Sequence, residues 1–494
     1  MDLRTEKLAD ASLFALASIV GIILGHKGLG DPDIGWHLAG GLSIIDFGRV
    51  PDIDFLSAVN RPWWCYSWLA EVIFAAWFRA GGFFALQLLQ TLIVVSSVWL
   101  VLLLVRGTKV TQRNIVAEAV SAGIAVFLIA PTWHLRPQLI SIILFSCLLL
   151  MREREMLTLP RVLLLTILWS NIHVYWILVP AVVGLHRLLV QKRIVAALRD
   201  SGLCAAAALV SPYGFGQFRG LFEYAFQHHT ANRLIKEFSS LANGSSFLFV
   251  VFILLAASAL TQWKSIKERE PLDSIVLVLA LSAAALMRLK FLPVLGAAAA
   301  PLLTRSIFAK IFSLNSQSME SKTSPLLVAS AALAFCVVAI ATLKLDPPLL
   351  PEQRDLLDAA AVLESQPHRT DEIYVVINDF NHGGWLELGF WLQRKDHSKA
   401  SPFRAAVDGR TLVMGADRLI EYQQILINPD KVIETAAVWS AAAAILPSGS
   451  AVEIKLSSAG WHKLAAVHSL SIWCPPRSDD KELCSLPNSS LSPS

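Results

Sequence analysis

Four carboxylates, Asp31, Asp33, Asp52 and Asp54, stand close together between the first two long apolar runs of the chain. Carboxylates so placed cap helices, bind a divalent cation, or take a proton from an incoming nucleophile. Asp33 is positioned to cap a helix beginning near Ile34, and Asp54 to make a turn bond near Pro51. The structural reading therefore stands beside the chemical one, and two acidic pairs in one loop favour a site. Cationic candidates lie elsewhere: Arg288 and Lys290 in "LMRLKFLP", and Arg136 in the tight segment "PTWHLRPQ". An arginine offers a phosphate a two-pronged fork, whereas the ordinary role of such residues is to snorkel to lipid headgroups. We favour the phosphate role for Arg288 and the ordinary one for Lys290. His37, His134, Asn171 and His173 are candidates to line a cavity. Asn171 and His173 fall where an apolar stretch breaks, and freed backbone groups there must meet protein or a cavity. Cys147, Cys204 and Cys336 lie in apolar runs and read as packing residues, while Cys474 and Cys484 could pair in an oxidising compartment.

The elements that must hold these groups are set by composition. The chain has 494 residues, 55% of them hydrophobic and only 16% charged, with a mean hydropathy of +0.55. An ordinary globular domain carries about a quarter charged residues, so lipid is the expected solvent. The net charge of +4 comes without any block of basic residues, which argues against a nucleic-acid partner. Runs long enough to span a bilayer are Ala9–Gly25, Phe83–Val105, Ile115–Pro131, Phe247–Trp263 and Pro325–Leu343, with shorter ones at Leu139–Met151, Ile194–Val210, Leu272–Met287 and Phe291–Ser306. Val162–Val190 reads as a hairpin of two short helices, because Arg161 before it and Arg187, Lys192 and Arg193 after it all favour the cytoplasm. The expectation is a polytopic α-helical membrane protein of about eleven spans, N-terminus inside, with a C-terminal extracytoplasmic α/β domain.

The division that follows is residues 1–343 for the membrane part, with 26–82 as a long first outer loop, then 344–480 for the soluble domain and 481–494 for a disordered tail. Within the loop, Leu38, Leu42 and Ile45 suit one helical face, and Trp68, Leu69, Val72, Ile73, Ala76 and Trp77 another. Two helices lying at headgroup level, joined by a turn at "GRVPDIDF", are expected. In the soluble domain "IYVVI", "AAILP" and the end of "AVD" read as strands, and Trp385–Gln393 and Asp417–Leu426 as helices. Asp379, Asn381 and His382 would then lie at a strand's C-terminal end, where α/β sites commonly form.

The segment "DPDIGWHLAGGLSIIDFGRVPDIDF" resembles the first outer loop of the glycosyltransferase C superfamily, which includes oligosaccharyltransferases and protein mannosyltransferases. The motifs Arg136-Pro137-Gln138, Trp169-Ser170-Asn171-Ile172-His173, Gly383-Gly384-Trp385-Leu386 and Asp408-Gly409-Arg410 are similar to those of poorly characterised bacterial members, so the likeness extends over most of the chain. The resemblance implies transfer of a sugar, with inversion, from a polyprenyl-phosphate carrier to a glycan, lipid or protein acceptor at the outer face of a bacterial plasma (inner) membrane. It maps the catalytic carboxylate onto Asp33, with Asp31 as rival, and places Glu237 where such enzymes carry a further acid. A divalent ion, Mg or Mn, would involve Asp33 and His134. The departure is that "PTWHLRPQ" lacks the second acidic pair of the oligosaccharyltransferases. A catalytically inactive scaffold or partner subunit is the main rival reading. A transporter is the third, disfavoured by the absence of an internal repeat.

Overall fold

The computed structural model describes residues 3–107, 115–226, 235, 238–308 and 346–476. It divides into two compact units: Met1–Lys27, Phe84–Gln217 and Ile235–Asp346 form the first, and Gly28–Phe83, Phe218–Leu234 and Pro347–Ser494 the second. The span expected at Pro325–Leu343 lies outside the described residues, as do Glu237, Cys336 and Cys484.

The first unit is helical. Its described helices include Leu3–Gly25, Ile115–Ile129, Pro137–Glu153, Leu159–Ser170, Leu178–Leu185, Ile194–Ala207, Ser246–Thr261, Leu272–Met287 and Leu292–Leu302. Three helical stretches are long and apolar enough to cross a membrane: Trp68–Arg106, Ile115–Thr132 and Leu289–Phe308. A fourth qualifies if Ser246–Thr261 is joined to Trp263–Arg269 across a 73° bend. The expectation of about eleven full spans is thus not met among the described residues. Asp10–Gly25, Leu159–Ser170, Val174–Val190 and Leu272–Met287 are apolar but shorter. At 1.5 Å per residue a twelve-residue helix covers roughly 18 Å of an approximately 30 Å hydrocarbon core. The expected hairpin break does occur, since Leu159–Ser170 ends at Asn171 and the chain resumes as a 3₁₀ turn at Val174.

Polar side chains tie the two ends of this bundle. At one end Gln90 Nε2 donates to Gly25 O (2.8 Å) and its Oε1 accepts the Leu135 N–H (2.9 Å). At the other, Arg106 pairs with Asp10 (2.5 Å), Arg305 with Glu153 and Glu270 (2.8 Å each), and Arg187 with Asp200 (3.0 Å). His186 meets Asp273 there at 2.9 Å. Charged side chains within an apolar helical bundle are tolerated when paired in this way.

The second unit joins the first loop to the C-terminal domain. Sequence grouped residues 26–82 with the membrane part, but 28–83 pack in one unit with 347–494. Its sheet comprises β1 (Tyr374–Asn378), β2 (Phe403–Ala405), β3 (Ala441–Pro447), β4 (His462–Val467) and β5 (Leu470–Cys474), in the order β2-β1-β3-β5-β4. The strands β1, β2 and β3 are parallel, and β5 returns antiparallel to both β3 and β4. Helices Pro351–Ser365 and Gly383–Gln393 flank it, and Thr411–Ile427 kinks at Gly415. The first loop extends the sheet at its β2 edge: Ser57 bridges Ala405, and the Ala58 N–H donates to Ala405 O (3.0 Å).

The loop's two helices differ from expectation in one respect. Ile34–Phe47 is no interfacial helix, because every residue from Ile34 to Ile44 is buried, leaving no face for lipid. In the second, the buried side carries Ala70, Glu71, Phe74 and Ala75, while the apolar stripe Leu69, Val72, Ile73 and Trp77 is half-buried and Ala76 exposed. That helix runs into the long apolar stretch through a kink at Gly81 and Gly82. Gly82 has φ +63° and ψ −151°, a combination essentially confined to glycine.

Candidate functional site

Asp31 and Asp33 sit at the start of Ile34–Phe47. Asp31 is buried, and its Oδ1 accepts the Asp33 N–H (2.9 Å), which closes an Asx turn. Asp33 occupies the N-cap position but makes no capping bond through its side chain. Its half-buried carboxylate instead accepts a hydrogen bond from Trp36 Nε1 (3.2 Å). The expected helix cap is therefore replaced by two distinct roles: Asp31 shapes the backbone, and Asp33 presents a carboxylate held by an indole.

The segment is seated at the C-terminal end of β1. Helix Gly383–Gln393 begins there, and a Cβ on Gly384 would lie 2.5 Å from Pro32 O and 3.0 Å from Trp36 Cδ1. Trp385 Nε1 donates to Asp31 O (3.0 Å), and the Leu29 N–H to Pro348 O (2.9 Å). The position where α/β sheets usually receive a ligand is here packed by the chain's own acidic segment. The motifs "DPDIGW", "GGWL" and "DGR" thus converge on one place. Asp379 accepts from Tyr422 Oη (3.1 Å) and the Asn381 N–H (2.9 Å), and His382 Nε2 meets Glu352 at 3.0 Å.

Below the acidic segment lies a buried ionic hub. Arg410, with 3% side-chain exposure, reaches Asp54 (2.7 Å), Glu387 (2.8 Å) and Asp408 (2.7 Å), each at 0%. Its guanidinium lies 4.7 Å from the Trp63 ring centre and 5.8 Å from that of Trp36. Burial drives the Glu387 carboxyl well above the ordinary range; Arg410 opposes this, while Asp408 and Asp54 reinforce it. Asp54 also accepts from the Leu56 N–H (3.1 Å) and the Ser57 hydroxyl. The turn bond expected for Asp54 is present, and the Asp408–Arg410 pair of the "DGR" turn is part of this larger group.

A second buried carboxylate organises the loop. Glu71 receives Ser67 Oγ (2.8 Å) and Cys65 Sγ (2.8 Å) and lies 3.0 Å from His37 Nδ1. Burial, and then the Glu71 charge, push the Cys65 thiol well above its usual range, so it is a poor nucleophile. Gly40 leaves room for this carboxylate, since a Cβ there would lie 2.7 Å from Glu71 Oε2. His37 is accordingly bound inside the loop's own core, its ring 3.5 Å from that of Trp36.

In the helical unit one cationic candidate, Lys290, meets the hairpin tip. Tyr175 Oη donates to Lys290 O (2.9 Å) and accepts from Gln138 Nε2 (3.3 Å), and its ring packs on His173 (4.5 Å) and Phe291 (6.0 Å). Lys290 is buried, its ammonium 4.5 Å from the Phe238 ring centre, and the Arg288 guanidinium lies 6.0 Å from the same ring. Burial under aromatic rings is not the snorkelling expected of Lys290. Arg136 stands half-buried at the N-cap of Pro137–Glu153, two residues before Gln138, and His134 is exposed. Asn171 donates to Ile167 O and Val210 O (2.8 Å each), a local structural role. A cavity of about 270 Å³ lies at the ionic end of the bundle, lined by Leu103, Leu104, Arg106, Leu150, Glu153 and Arg154, and includes none of the candidates.

Among the described residues no group of three or more His, Cys, Asp and Glu side chains could hold a metal ion. The expected divalent site at Asp33 and His134 therefore has no described ligand set. Cys474 is disulfide-bonded, and Cys65, Cys147 and Cys204 are thiols outside any disulfide. Sequence reasoning passed over Tyr175, Glu71 and Glu387. Glu387 carried a signal, since a lone carboxylate in the apolar run "WLELGFW" needs a buried partner. Comparisons with protein-family models and with curated proteins return no match.

Proposed function

We propose that this chain is a multi-pass membrane glycosyltransferase that moves a sugar from a polyprenyl-phosphate carrier to an extracytoplasmic acceptor. The observation that carries the reading is the state of Asp33. It is a half-buried carboxylate in the acidic first loop that accepts a hydrogen bond from the Trp36 indole and makes no side-chain cap on its helix. In that role it takes the acceptor's proton as the acceptor attacks the anomeric carbon, with the carrier phosphate leaving from the opposite face. Arg288, with Arg136 and Lys290, supplies positive charge for the phosphate. The grouping of Gln138, His173, Tyr175 and Lys290 at one end of the helical unit supports that assignment. A disulfide at Cys474 agrees with a C-terminal domain outside the cytoplasm, and the basic residues Arg106, Arg187 and Arg305 suit a cytoplasmic end of the helical unit.

The test measures transfer of radiolabelled sugar from polyprenyl-phosphate hexoses and pentoses by purified protein in liposomes. Asp33→Asn is expected to lower kcat by about 100-fold or more, and Arg288→Gln to raise KM for the carrier. Unchanged transfer by folded Asp33→Asn would remove the proposal. One observation favours the scaffold reading: Asp54, Glu71, Glu387 and Asp408 are all engaged in buried structural contacts. That reading predicts binding of the lipid-linked sugar without turnover.

A further inference from the structure

Gly409 is the middle residue of the Asp408-Gly409-Arg410 turn, and both of its neighbours belong to the buried hub. The Arg410 N–H and Nε both donate to Asp408 Oδ1 (2.6 and 3.2 Å), so side chain and backbone of the turn are locked together. Arg410 is held in turn by Asp54 from the first loop and by Glu387 from helix Gly383–Gln393. Gly409 has no room for a side chain. A Cβ there would overlap Asp33 Oδ1 and lie 3.1 Å from Asp33 Cγ, while Trp36 Nε1 is 3.5 Å away. Asp33 is therefore confined by the bare α-carbon of Gly409 and the indole of Trp36, which itself bonds Asp33 Oδ1.

We infer that Gly409, locked in place by the Arg410 hub, is the positioning residue for the Asp33 carboxylate, so that the C-terminal domain sets the reactivity of the first loop. The functional half of this rests on the proposed role of Asp33; the positional half does not. A methyl group at Gly409 has one close obstacle, the Asp33 carboxylate, and removing that carboxylate should make room for it.

The experiment is a double-mutant cycle on the full-length protein: wild type, Gly409→Ala, Asp33→Ala and the double variant. Thermal unfolding is followed alongside the indole ¹H–¹⁵N signal of Trp36, assigned by Trp36→Phe. Gly409→Ala is expected to lower Tm and shift the Trp36 indole signal, and most of the fall in Tm should vanish when Asp33 is already alanine. An equal fall in both backgrounds, or failure of both Gly409→Ala proteins to fold, would overturn the inference. Where transfer activity is present, Gly409→Ala should lower kcat, leave KM for the carrier unchanged and displace the acidic limb of the pH–rate profile. Coupling in the cycle without any transfer by wild type would retain the positioning contact and remove the catalytic reading alone.

Discussion

Replacing Arg410 by methionine tests the ionic hub. The side chain stays unbranched and apolar along its stem but loses the guanidinium that meets Asp54, Glu387 and Asp408 at 2.7–2.8 Å. Removing one partner from a buried ionic group costs about 3–5 kcal/mol, because the remaining charges stay desolvated. Summing the separate charge-assisted bonds would overstate the cost, since one guanidinium serves all three. For a unit of this size the loss corresponds to roughly 6–20 °C in Tm. The pH dependence gives a second check. Glu387 has a folded pKa raised above its unfolded value, so its contribution is fully present below about pH 4.5 and is lost as pH rises through the folded value. With Arg410 gone the three acids repel, and Arg410→Met should recover stability on moving from pH 8 to pH 5 by more than wild type does. Thermal unfolding in detergent, read by near-ultraviolet circular dichroism, measures both. A Tm within about 2 °C of wild type at pH 7, with no added pH slope, would refute the reasoning.

Two further outcomes follow from other buried and exposed groups. Glu71→Ala removes the acceptor shared by Ser67, Cys65 and His37, and should cost about 2–4 kcal/mol in chemical denaturation while making Cys65 reactive to maleimide in the folded protein. Asp417 is held at about 2 by its hydrogen bond to Arg61, so the pair's contribution is present above about pH 4 and is lost as pH falls through 2. Because both side chains are well exposed, Asp417→Asn should change stability by less than about 1 kcal/mol at pH 7.

The sequence carried the apolar character of the chain, the hairpin break at Asn171 and the strands at Tyr374–Asn378 and Ala441–Pro447, because each rests on local pattern. It did not carry the union of the first loop with the C-terminal domain, which depends on contacts such as Trp385 with Asp31 and Arg410 with Asp54, more than 350 positions apart. The strands β4 and β5 were missed for a related reason. They form a hairpin at the sheet edge, and the exposed residues of β4 blur the alternation that marks a half-buried strand. Asp31 and Asp33 were legible as a pair, but not their division of labour, since an Asx turn and an indole bond are invisible to spacing. Among the described residues fewer helices than expected reach full spanning length, because apolar runs register hydrophobicity and not the bends and 3₁₀ turns that shorten helices.

The central claim is that the chain releases a polyprenyl phosphate by transferring its sugar. The direct measurement incubates wild-type protein in liposomes with a polyprenyl-phosphate hexose and an extract of envelope acceptors, and follows the free carrier phosphate by mass spectrometry. The account predicts that carrier phosphate accumulates in step with labelled acceptor and that both stop with Asp33→Asn. Folded wild-type protein that binds the donor yet forms neither product, across hexose and pentose donors, would contradict it.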